Sequence, residues 1–443
     1  MTLRRNAWLA LVALAPVALA MSGCSWWGDG APPPLPGKRI SVLTRDKMLE
    51  PEVKGAGGEI RLPPPEANED WPQAGGYANH AMHHMEVGDK LERVWRTGVG
   101  TGAGNRARLL AQPVVAGGKV FSMDSEAEVY AVDAKTGSTL WHVDLTPKDE
   151  DGTASGGGLA YEDGVVFAST GLAQVVALAA DSGKILWRQT LSGPMRGAPT
   201  VRAGRVFVVT VDNQTHALSA EDGSTLWTHQ GISETASLLA GSSPAVDGNV
   251  VVVPYSSGEL FALRVENGAV LWQDSLAMVR RTDGVASLMD IRGLPVVDRG
   301  RVYAIGHADM LVAIDLRSGR RLWEREIGGL QTPWVAGDYL YLVTNNNEVV
   351  ALEGKTGRVV WITPLRVWKD EKAREGRVVW AGPVLASDRL IVGGSHGKLV
   401  SLSPYTGELL GQIDISDGVT LQPLIANRTM YLLTNDADLV AFR

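Results

Sequence analysis

The chain of 443 residues contains a single cysteine, Cys24, and this scarcity excludes whole classes of structure. One thiol cannot form an intramolecular disulfide, and it cannot supply a metal site built from several thiolates. Basic residues are also in deficit, because 42 Lys and Arg stand against 49 Asp and Glu. That balance disfavours nucleic acid as a partner. We therefore expect neither a disulfide scaffold nor a protein that binds DNA or RNA.

Helical periodicity and long apolar runs are missing as well. No segment repeats apolar residues at helical spacing for long enough to pack a helix. The apolar run at residues 7–20 is too short to span a bilayer as a stable helix. It follows Arg4-Arg5 and precedes Met21-Ser22-Gly23-Cys24, an order that is typical of a secretion signal. The rest of the chain is therefore expected to be exported and to contain β-strands.

Copies of one motif run through the chain, each with a glycine four residues before a tryptophan. An alanine lies six residues before each glycine, so the motif reads Ala-x-x-x-x-[Thr/Ser/Asp/Asn]-Gly-x-x-[Leu/Val]-Trp. The pairs are Gly137/Trp141, Gly183/Trp187, Gly223/Trp227, Gly268/Trp272, Gly319/Trp323 and Gly357/Trp361. A further copy, from Ser401 to Gly407, carries Gly411 in the tryptophan position. Successive glycines are 38 to 51 residues apart, a length that suits the four-stranded blade of a β-propeller.

Each repeat has the pattern of four short strands joined by tight turns. In the copy that starts at Pro244, Asp247-Gly248 precedes the β-rich run 249–255, and Asn267-Gly268 precedes Trp272. Turn residues before the glycine predict a hairpin between the third and fourth strands. A tryptophan that recurs once per blade is a packing signature of propellers. We therefore expect the tryptophans to fill the gaps between sheets, not to contact a cofactor.

The two ends of the chain are predicted to close the ring. The last repeat, from Pro423 to Arg443, has the pattern of only three strands. Residues 90–96 have the pattern of a fourth strand, including Val94-Trp95, with no other strands before them. Pairing the two would remove exposed sheet edges. We predict an all-β fold: an eight-bladed β-propeller of four-stranded antiparallel blades over residues 67–443, with an N-terminal strand completing the C-terminal blade.

Candidate catalytic and metal sites are weak. Gly393-Gly394-Ser395-His396-Gly397 matches a nucleophile elbow, but it joins two strands instead of a strand and a helix. No further residue at ligand spacing completes a metal site with His80, His83 and His84, so we expect a solvated segment before the propeller. The charged run 369–375 predicts an exposed insertion between blades. No catalytic residue, metal ligand or cofactor is expected.

The segment Met21-Ser22-Gly23-Cys24 resembles the lipobox of bacterial lipoproteins, with Met21 where leucine is commoner. With the repeat and Trp71-Pro72-Gln73-Ala74-Gly75-Gly76, it makes the chain similar to the BamB family of outer-membrane assembly lipoproteins. The propeller of that family is related to those of quinoprotein dehydrogenases. The resemblance implies a signal peptide at 1–23, acylation of Cys24 including palmitate, and a proline-rich flexible linker at 24–66. It also implies attachment to the periplasmic face of the outer membrane of a Gram-negative bacterium.

The same resemblance implies a non-catalytic scaffold of the outer-membrane β-barrel assembly (BAM) complex, which binds a POTRA domain of BamA. Two loops are similar to the contact loops of the family. One runs from Leu191 to Pro199 and includes Met195 and Arg196; the other runs from Leu288 to Arg292 and includes Asp290. Arg292 stands where a second acid is expected. A methionine beside an arginine on an exposed loop suits an interface anchor. Nascent outer-membrane proteins are a further candidate partner.

A pyrroloquinoline-quinone-dependent dehydrogenase is the alternative function, because the propeller of such enzymes carries the same repeat. Such enzymes have a longer chain, an adjacent pair of cysteines, a bound calcium ion and an aspartate that acts as the base. The cysteine pair is impossible in this sequence. A third hypothesis is a lipoprotein that binds cell-wall or other ligands in the funnel of the ring, for which the sequence offers no convergent polar site.

Replacing Cys24 by serine should release the protein from the membrane into the soluble periplasmic fraction. Several acyl chains, at about 0.8 kcal/mol per buried CH₂, hold a soluble domain firmly, and serine cannot carry them on sulfur. Cell fractionation followed by immunoblotting measures the outcome. The control Ser25→Ala keeps the thiol and should stay membrane-bound; continued membrane association of the Cys24→Ser protein would contradict the anchor.

Overall fold

A computed structural model describes residues 49–52, 59–104, 108–148, 156–234, 241–277 and 290–443. The described residues form eight four-stranded antiparallel sheets and one two-stranded hairpin, with no helix among them. Within the same residues, no helix is long and apolar enough to cross a membrane. The prediction of an all-β, eight-bladed propeller is confirmed.

The strands are short, and most contain three to six residues. In chain order they are β1 (Arg93–Gly98), β2 (Val114–Ala116), β3 (Lys119–Met123), β4 (Glu128–Asp133), β5 (Thr139–Asp144), β6 (Gly157–Glu162), β7 (Val165–Thr170), β8 (Gln174–Ala179), β9 (Ile185–Thr190), β10 (Thr200–Arg202), β11 (Arg205–Val209), β12 (Gln214–Ser219), β13 (Thr225–Gln230), β14 (Ala245–Asp247), β15 (Val250–Pro254), β16 (Glu259–Arg264), β17 (Val270–Ser275), β18 (Val296–Asp298), β19 (Arg301–Gly306), β20 (Met310–Asp315), β21 (Arg321–Arg325), β22 (Trp334–Ala336), β23 (Tyr339–Val343), β24 (Glu348–Glu353), β25 (Val359–Pro364), β26 (Trp368–Asp370), β27 (Glu375–Arg377), β28 (Trp380–Ala386), β29 (Arg389–Gly394), β30 (Lys398–Leu402), β31 (Leu409–Asp414), β32 (Leu424–Ala426), β33 (Thr429–Leu433) and β34 (Asp438–Phe442). Blades 1 to 7 are β2–β5, β6–β9, β10–β13, β14–β17, β18–β21, β22–β25 and β28–β31, and blade 8 is β32, β33, β34 and β1.

The ring closes through the two ends of the chain, as predicted. Strand β1 pairs antiparallel with β34, from Arg93 opposite Phe442 to Gly98 opposite Asp438. The strand therefore begins three residues later than the run 90–96 suggested. Trp95 lies opposite Ala441, the same pairing of tryptophan with alanine that blades 1 to 6 show.

The repeat tryptophans join neighbouring blades. Each indole N–H donates a hydrogen bond to a backbone carbonyl of the next blade, an interaction that we call the tryptophan wedge. The pairs are Trp95–Ala134 (3.2 Å), Trp141–Ala180 (3.0 Å), Trp187–Ala220 (2.9 Å), Trp227–Val265 (2.9 Å), Trp272–Leu316 (2.7 Å), Trp323–Gly354 (3.0 Å) and Trp361–Pro404 (3.1 Å). The indole ring packs on the repeat glycine of that next blade. For example, a Cβ added to Gly223 would lie 2.6 Å from Trp187. Gly223 also has a φ of 75°, so glycine is required there twice over.

We call the interface between two neighbouring blades a joint. The joint between blades 7 and 8 lacks the tryptophan wedge. Gly411 takes the tryptophan position and pairs with Ser401, and nothing lies within 4 Å of a Cβ added to Gly411. Strands β34 and β1 are not consecutive in the chain, so no hairpin joins the third and fourth strands of blade 8. A tryptophan at residue 411 would find neither the glycine turn nor the turn carbonyl, which explains why this copy of the motif is incomplete.

Antiparallel strand order gives the ring two different faces. The turns between first and second strands, and between third and fourth strands, lie on one side, which we call the turn face. The turns between second and third strands lie on the other side, together with the connections between blades, and this side is the loop face. The hairpin of β26 and β27 belongs to a connection on the loop face, between blades 6 and 7, and its residues 369–377 are exposed.

Residues 68–87 form a hub that crosses the centre of the ring on the turn face. Backbone or side-chain hydrogen bonds connect this hub to the first strand of every blade. The pairs, from blade 1 to blade 8, are Trp71–Val115, Pro72–Tyr161, Gln73–Val201, Ala78–Val246, Asn79–Val297, His83–Trp334, Met85–Leu385 and Asn68–Ile425. The sequence analysis did not foresee this arrangement, because the hub lacks strand periodicity.

The described part of the predicted linker 24–66 lies against the propeller. The Glu52 N–H donates to the Val359 carbonyl (2.9 Å), and the Glu52 carboxylate pairs with Arg325 (3.3 Å). Leu49 and Leu322 both pack against the hydrophobic cluster between blades 5 and 6, and Ile60 is buried. These N-terminal residues therefore lie along the rim and the turn face.

Replacing Trp227 by alanine should lower the free energy of unfolding by about 3–5 kcal/mol, because a side chain that is 8% exposed leaves a cavity between blades 3 and 4. Urea denaturation monitored by circular dichroism gives the midpoint. The neighbour Leu226 is 47% exposed, so Leu226→Ala should change the midpoint little. An unchanged midpoint for Trp227→Ala would refute the packing role.

Candidate partner-binding surface

The loop between blades 2 and 3 is held by backbone hydrogen bonds to turns on the loop face. Met195 donates its N–H to the Thr170 carbonyl (3.1 Å), and Pro194 accepts from the Val211 N–H (2.8 Å). Met195 also forms an isolated bridge with Thr210, and its side chain is fully buried among residues of blades 2 and 3. The expectation of an exposed methionine is therefore wrong, because the bridge turns this side chain into the joint.

Leu191 occupies a position that recurs around the ring, four residues after the tryptophan position. Its N–H donates to the Ala173 carbonyl (2.8 Å), just as Leu145 donates to Ala127 (3.2 Å). Five other apolar residues at this position are buried, namely Val99, Leu145, Leu276, Ile327 and Ile415, whereas Leu365 is half-buried like Leu191. Leu191 is half-buried and packs against the core between blades 2 and 3. A packing role thus accounts for its apolar character, and its exposed part remains available to a partner.

Arg196 and Asp290 line one cleft on the loop face, although they belong to connections two blades apart. The cleft has a volume of about 40 Å³, and Asn213 and Ser242 also line it. A Cβ added to Gly197 would lie 2.3 Å from the Ser242 carbonyl, so the connection that carries Arg196 is in close contact with the connection between blades 3 and 4. Arg196 is half-buried and Asp290 is 5% exposed. The structure thus brings together one cation and one anion that the sequence analysis predicts to bind a partner.

Arg292 differs from the acid that the family resemblance implies. Burial lowers the pKa of the Arg292 guanidinium, and the negative charge of Asp290 opposes that shift. Arg292 therefore carries a desolvated charge close to an acid of its own loop. Leu288 and Met289 lie outside the described residues.

Ile232 is an exposed apolar residue beside this cleft that the sequence analysis missed. Its side chain is 60% exposed. Its carbonyl accepts from the Asn213 side chain (2.6 Å), and its N–H donates to the Glu259 carboxylate (2.7 Å). The signal in the sequence is Gly231, which occupies the recurring apolar position and leaves Ile232 one residue further along, outside the packed site. The cleft therefore has an apolar neighbour on a fixed backbone.

The histidine cluster belongs to the hub, and the expectation of a solvated segment is wrong for His80 and His84, whereas the side chain of His83 is 42% exposed. His80 and His84 are buried because the hub runs through the centre of the ring. The Nδ1 atoms of His80 and His84 bond the carbonyls of Pro295 and Pro63, each at 2.7 Å. Burial lowers the pKa of His80 to about 4. In the described part of the chain, no group of three or more His, Cys, Asp or Glu could hold a metal ion.

The nucleophile-elbow match lies in the turn between β29 and β30 of blade 7. The Ser395 hydroxyl accepts the Val379 N–H (2.9 Å), and the Ser395 N–H donates to the Val379 carbonyl (2.8 Å). The ring of His396 packs edge-on against the ring of Trp380, with 5.0 Å between the ring centroids. Both side chains therefore support the connection between blades 6 and 7.

Comparison with known proteins gives consistent matches. The family model described as outer membrane protein assembly factor BamB matches residues 91–148 and 125–363, and the model for the β-propeller domain of glucose/ethanol/alcohol dehydrogenase matches residues 325–440. The assembly factor BamB of Yersinia pestis is 30% identical over 356 residues, covering 79% of this chain and 88% of its own. That of Escherichia coli K12 is 30% identical over 347 residues, covering 77% and 86%.

Solved structures support the fold. BamB from Moraxella catarrhalis has a TM-score of 0.68 at 19% identity and covers 80% of this chain and 100% of its own. Quinohemoprotein alcohol dehydrogenase from Comamonas testosteroni has a TM-score of 0.65 at 15% identity and covers 84% and 80%. At these identities the likeness shows a shared propeller fold alone.

The buried His80 should make the protein less stable in acid. Its folded pKa lies below the unfolded value, so the unfolded state binds more protons as the pH falls from about 6.5 towards 4. This one group should lower the free energy of unfolding by about 2 kcal/mol between pH 7 and pH 5. His80→Asn keeps a donor for the Pro295 carbonyl and should reduce the pH dependence in urea titrations. An equal slope in both proteins would contradict the assignment.

Proposed function

Because the chain belongs to the family of outer membrane protein assembly factor BamB, we propose that it is a non-catalytic subunit of the outer-membrane β-barrel assembly complex. The identity of 30% over 79% of the chain supports this role most strongly. In the proposal, a lipid on Cys24 holds the propeller at the periplasmic face of the outer membrane. The role is to bind a partner during insertion of outer-membrane proteins.

The proposed contact is the loop face around the cleft of Arg196 and Asp290, and the proposed partner is a POTRA domain of BamA. Arginine is enriched among residues that dominate binding energy, especially where apolar neighbours exclude water. Ile232 and the exposed Pro194 provide such neighbours. The charge of the half-buried Arg196 can select a partner surface of complementary charge, and the buried Asp290 adds an opposite charge to the lining of the same cleft.

The course of the N-terminal residues is compatible with this assignment. Leu49 to Glu52 lie at the rim between blades 5 and 6, and the hub covers the centre of the turn face. The loop face is therefore not covered by the N-terminal residues that the structure describes. In this arrangement, the described N-terminal residues lie at the rim and on the turn face, and a partner docks on the loop face.

A scaffold role also agrees with how the candidate catalytic groups are used. Ser395 and His396 support a connection between blades, and His80 and His84 bond backbone carbonyls inside the hub. The likeness to a dehydrogenase is one of fold, at 15% identity. The relatives at 30% identity carry the name of an assembly factor.

Arg196→Ala and Asp290→Ala should each weaken capture of BamA by at least about fivefold while the circular dichroism spectrum stays native, since loss of an interface anchor costs more than about 1 kcal/mol. Pull-down of the full-length lipoprotein from gently solubilised outer membranes, with quantification of the partner, measures this. Arg202→Ala removes an exposed arginine from the turn face of blade 3 and serves as the matched control. Undiminished capture by both loop-face variants would remove this cleft from the contact.

A further inference from the structure

The joint between blades 7 and 8 must be held by something other than a tryptophan wedge. Seven joints have an indole N–H bonded to the next blade, whereas Gly411 leaves this joint without one. Blade 8 is also the composite blade, in which β1 is held to β34 without a connecting hairpin. Both features weaken the same place in the ring, so this joint is where an opening is expected to start.

Residues 84–89, which we call the strap, bond to the first turn of blade 7. The Ser387 hydroxyl accepts the Val87 N–H (2.9 Å) and donates to the Val87 carbonyl (2.8 Å). The Arg389 guanidinium donates to the carbonyls of Gly88 (2.6 Å) and Asp89 (3.0 Å). His84 adds a bond by accepting the N–H of Asp388 (2.9 Å) at Nε2. Each of these contacts lies beside the joint.

The strap also reaches blade 8. Glu86 pairs with Arg428 on the first turn of that blade (3.0 Å), and Val87 forms a parallel bridge with the same residue. Met85 and Val87 are 1% and 3% exposed, and both belong to the core cluster that contains residues of blades 7 and 8. Four residues after the strap, the chain enters β1, the outer strand of blade 8. One continuous segment thus touches both sides of the joint and then completes its outer edge.

We propose that the strap replaces the missing tryptophan wedge and locks the ring at the joint between blades 7 and 8. The replacement acts at the centre of the ring, because the rim of blade 8 has no hairpin on which an indole could pack. The lock is polar and consists mainly of backbone carbonyls held by Ser387 and Arg389. Its loss should open this joint first and leave the joints with tryptophan wedges closed.

The variant Ser387→Ala/Arg389→Ala tests the lock in the full-length protein. Amide hydrogen–deuterium exchange, followed by mass spectrometry, reports local opening for each strand. We expect exchange in β1 and β34 to accelerate about tenfold, since several hydrogen bonds of the strap are lost together, and exchange in β11 and β12 to stay the same. Unchanged exchange in β1 and β34, or an equal increase in all blades, would overturn the proposal.

Arg299→Ala is the matched control. Arg299 lies on the first turn of blade 5 and pairs with Asp338 of blade 6 (3.2 Å), across a joint that keeps the Trp323 wedge. Its removal should change exchange in the strands of blades 5 and 6 by less than about twofold, as expected for an exposed pair. A change in those strands as large as the strap variant causes in β1 would show that the wedge gives no special protection, and the proposal would fail.

A charge exchange at Glu86 and Arg428 provides a milder test that should preserve folding. Glu86→Arg should accelerate exchange in β1 about twofold, because two like charges then face each other across the joint. Glu86→Arg/Arg428→Glu should restore the original rate. Absence of restoration would overturn the assignment of this pair to the lock.

Discussion

An indole packed on a glycine turn of the next blade is the contact on which the ring depends. The glycine provides a left-handed turn and a surface without a Cβ, and the tryptophan fills the wedge-shaped gap and satisfies a turn carbonyl. Neither residue is useful without the other. Both residues are absent between blades 7 and 8 for one reason, which is the missing hairpin of the composite blade.

The hub gives the ring a second set of connections at its centre. Wedges link each blade to its neighbour, whereas the hub bonds the first strands of all eight blades with one continuous segment. This division makes the two faces unequal. The turn face is occupied by the protein's own N-terminal residues, and the loop face presents the cleft of Arg196 and Asp290.

Most of the fold was predictable because the repeat encodes local turns and one packing contact per blade. The count of blades and the closing strand followed from the spacing of glycine and tryptophan and from Val94-Trp95. The candidate surface was less predictable. Met195 was expected to be exposed and is buried, and Ile232 was overlooked, because one bridge to Thr210 and one shifted glycine decide which side chain faces solvent.

The strands, the turns and the identity of the repeating contact follow from the amino-acid pattern, since these depend on residues a few positions apart. The burial of His80 and His84, and the placement of Arg196 and Asp290 in one cleft, emerge only when the chain is folded. Those outcomes depend on segments that are distant in the chain and on the space that eight sheets leave at their centre. No periodic pattern records that space, because the hub fits it with irregular backbone and hydrogen bonds to many blades.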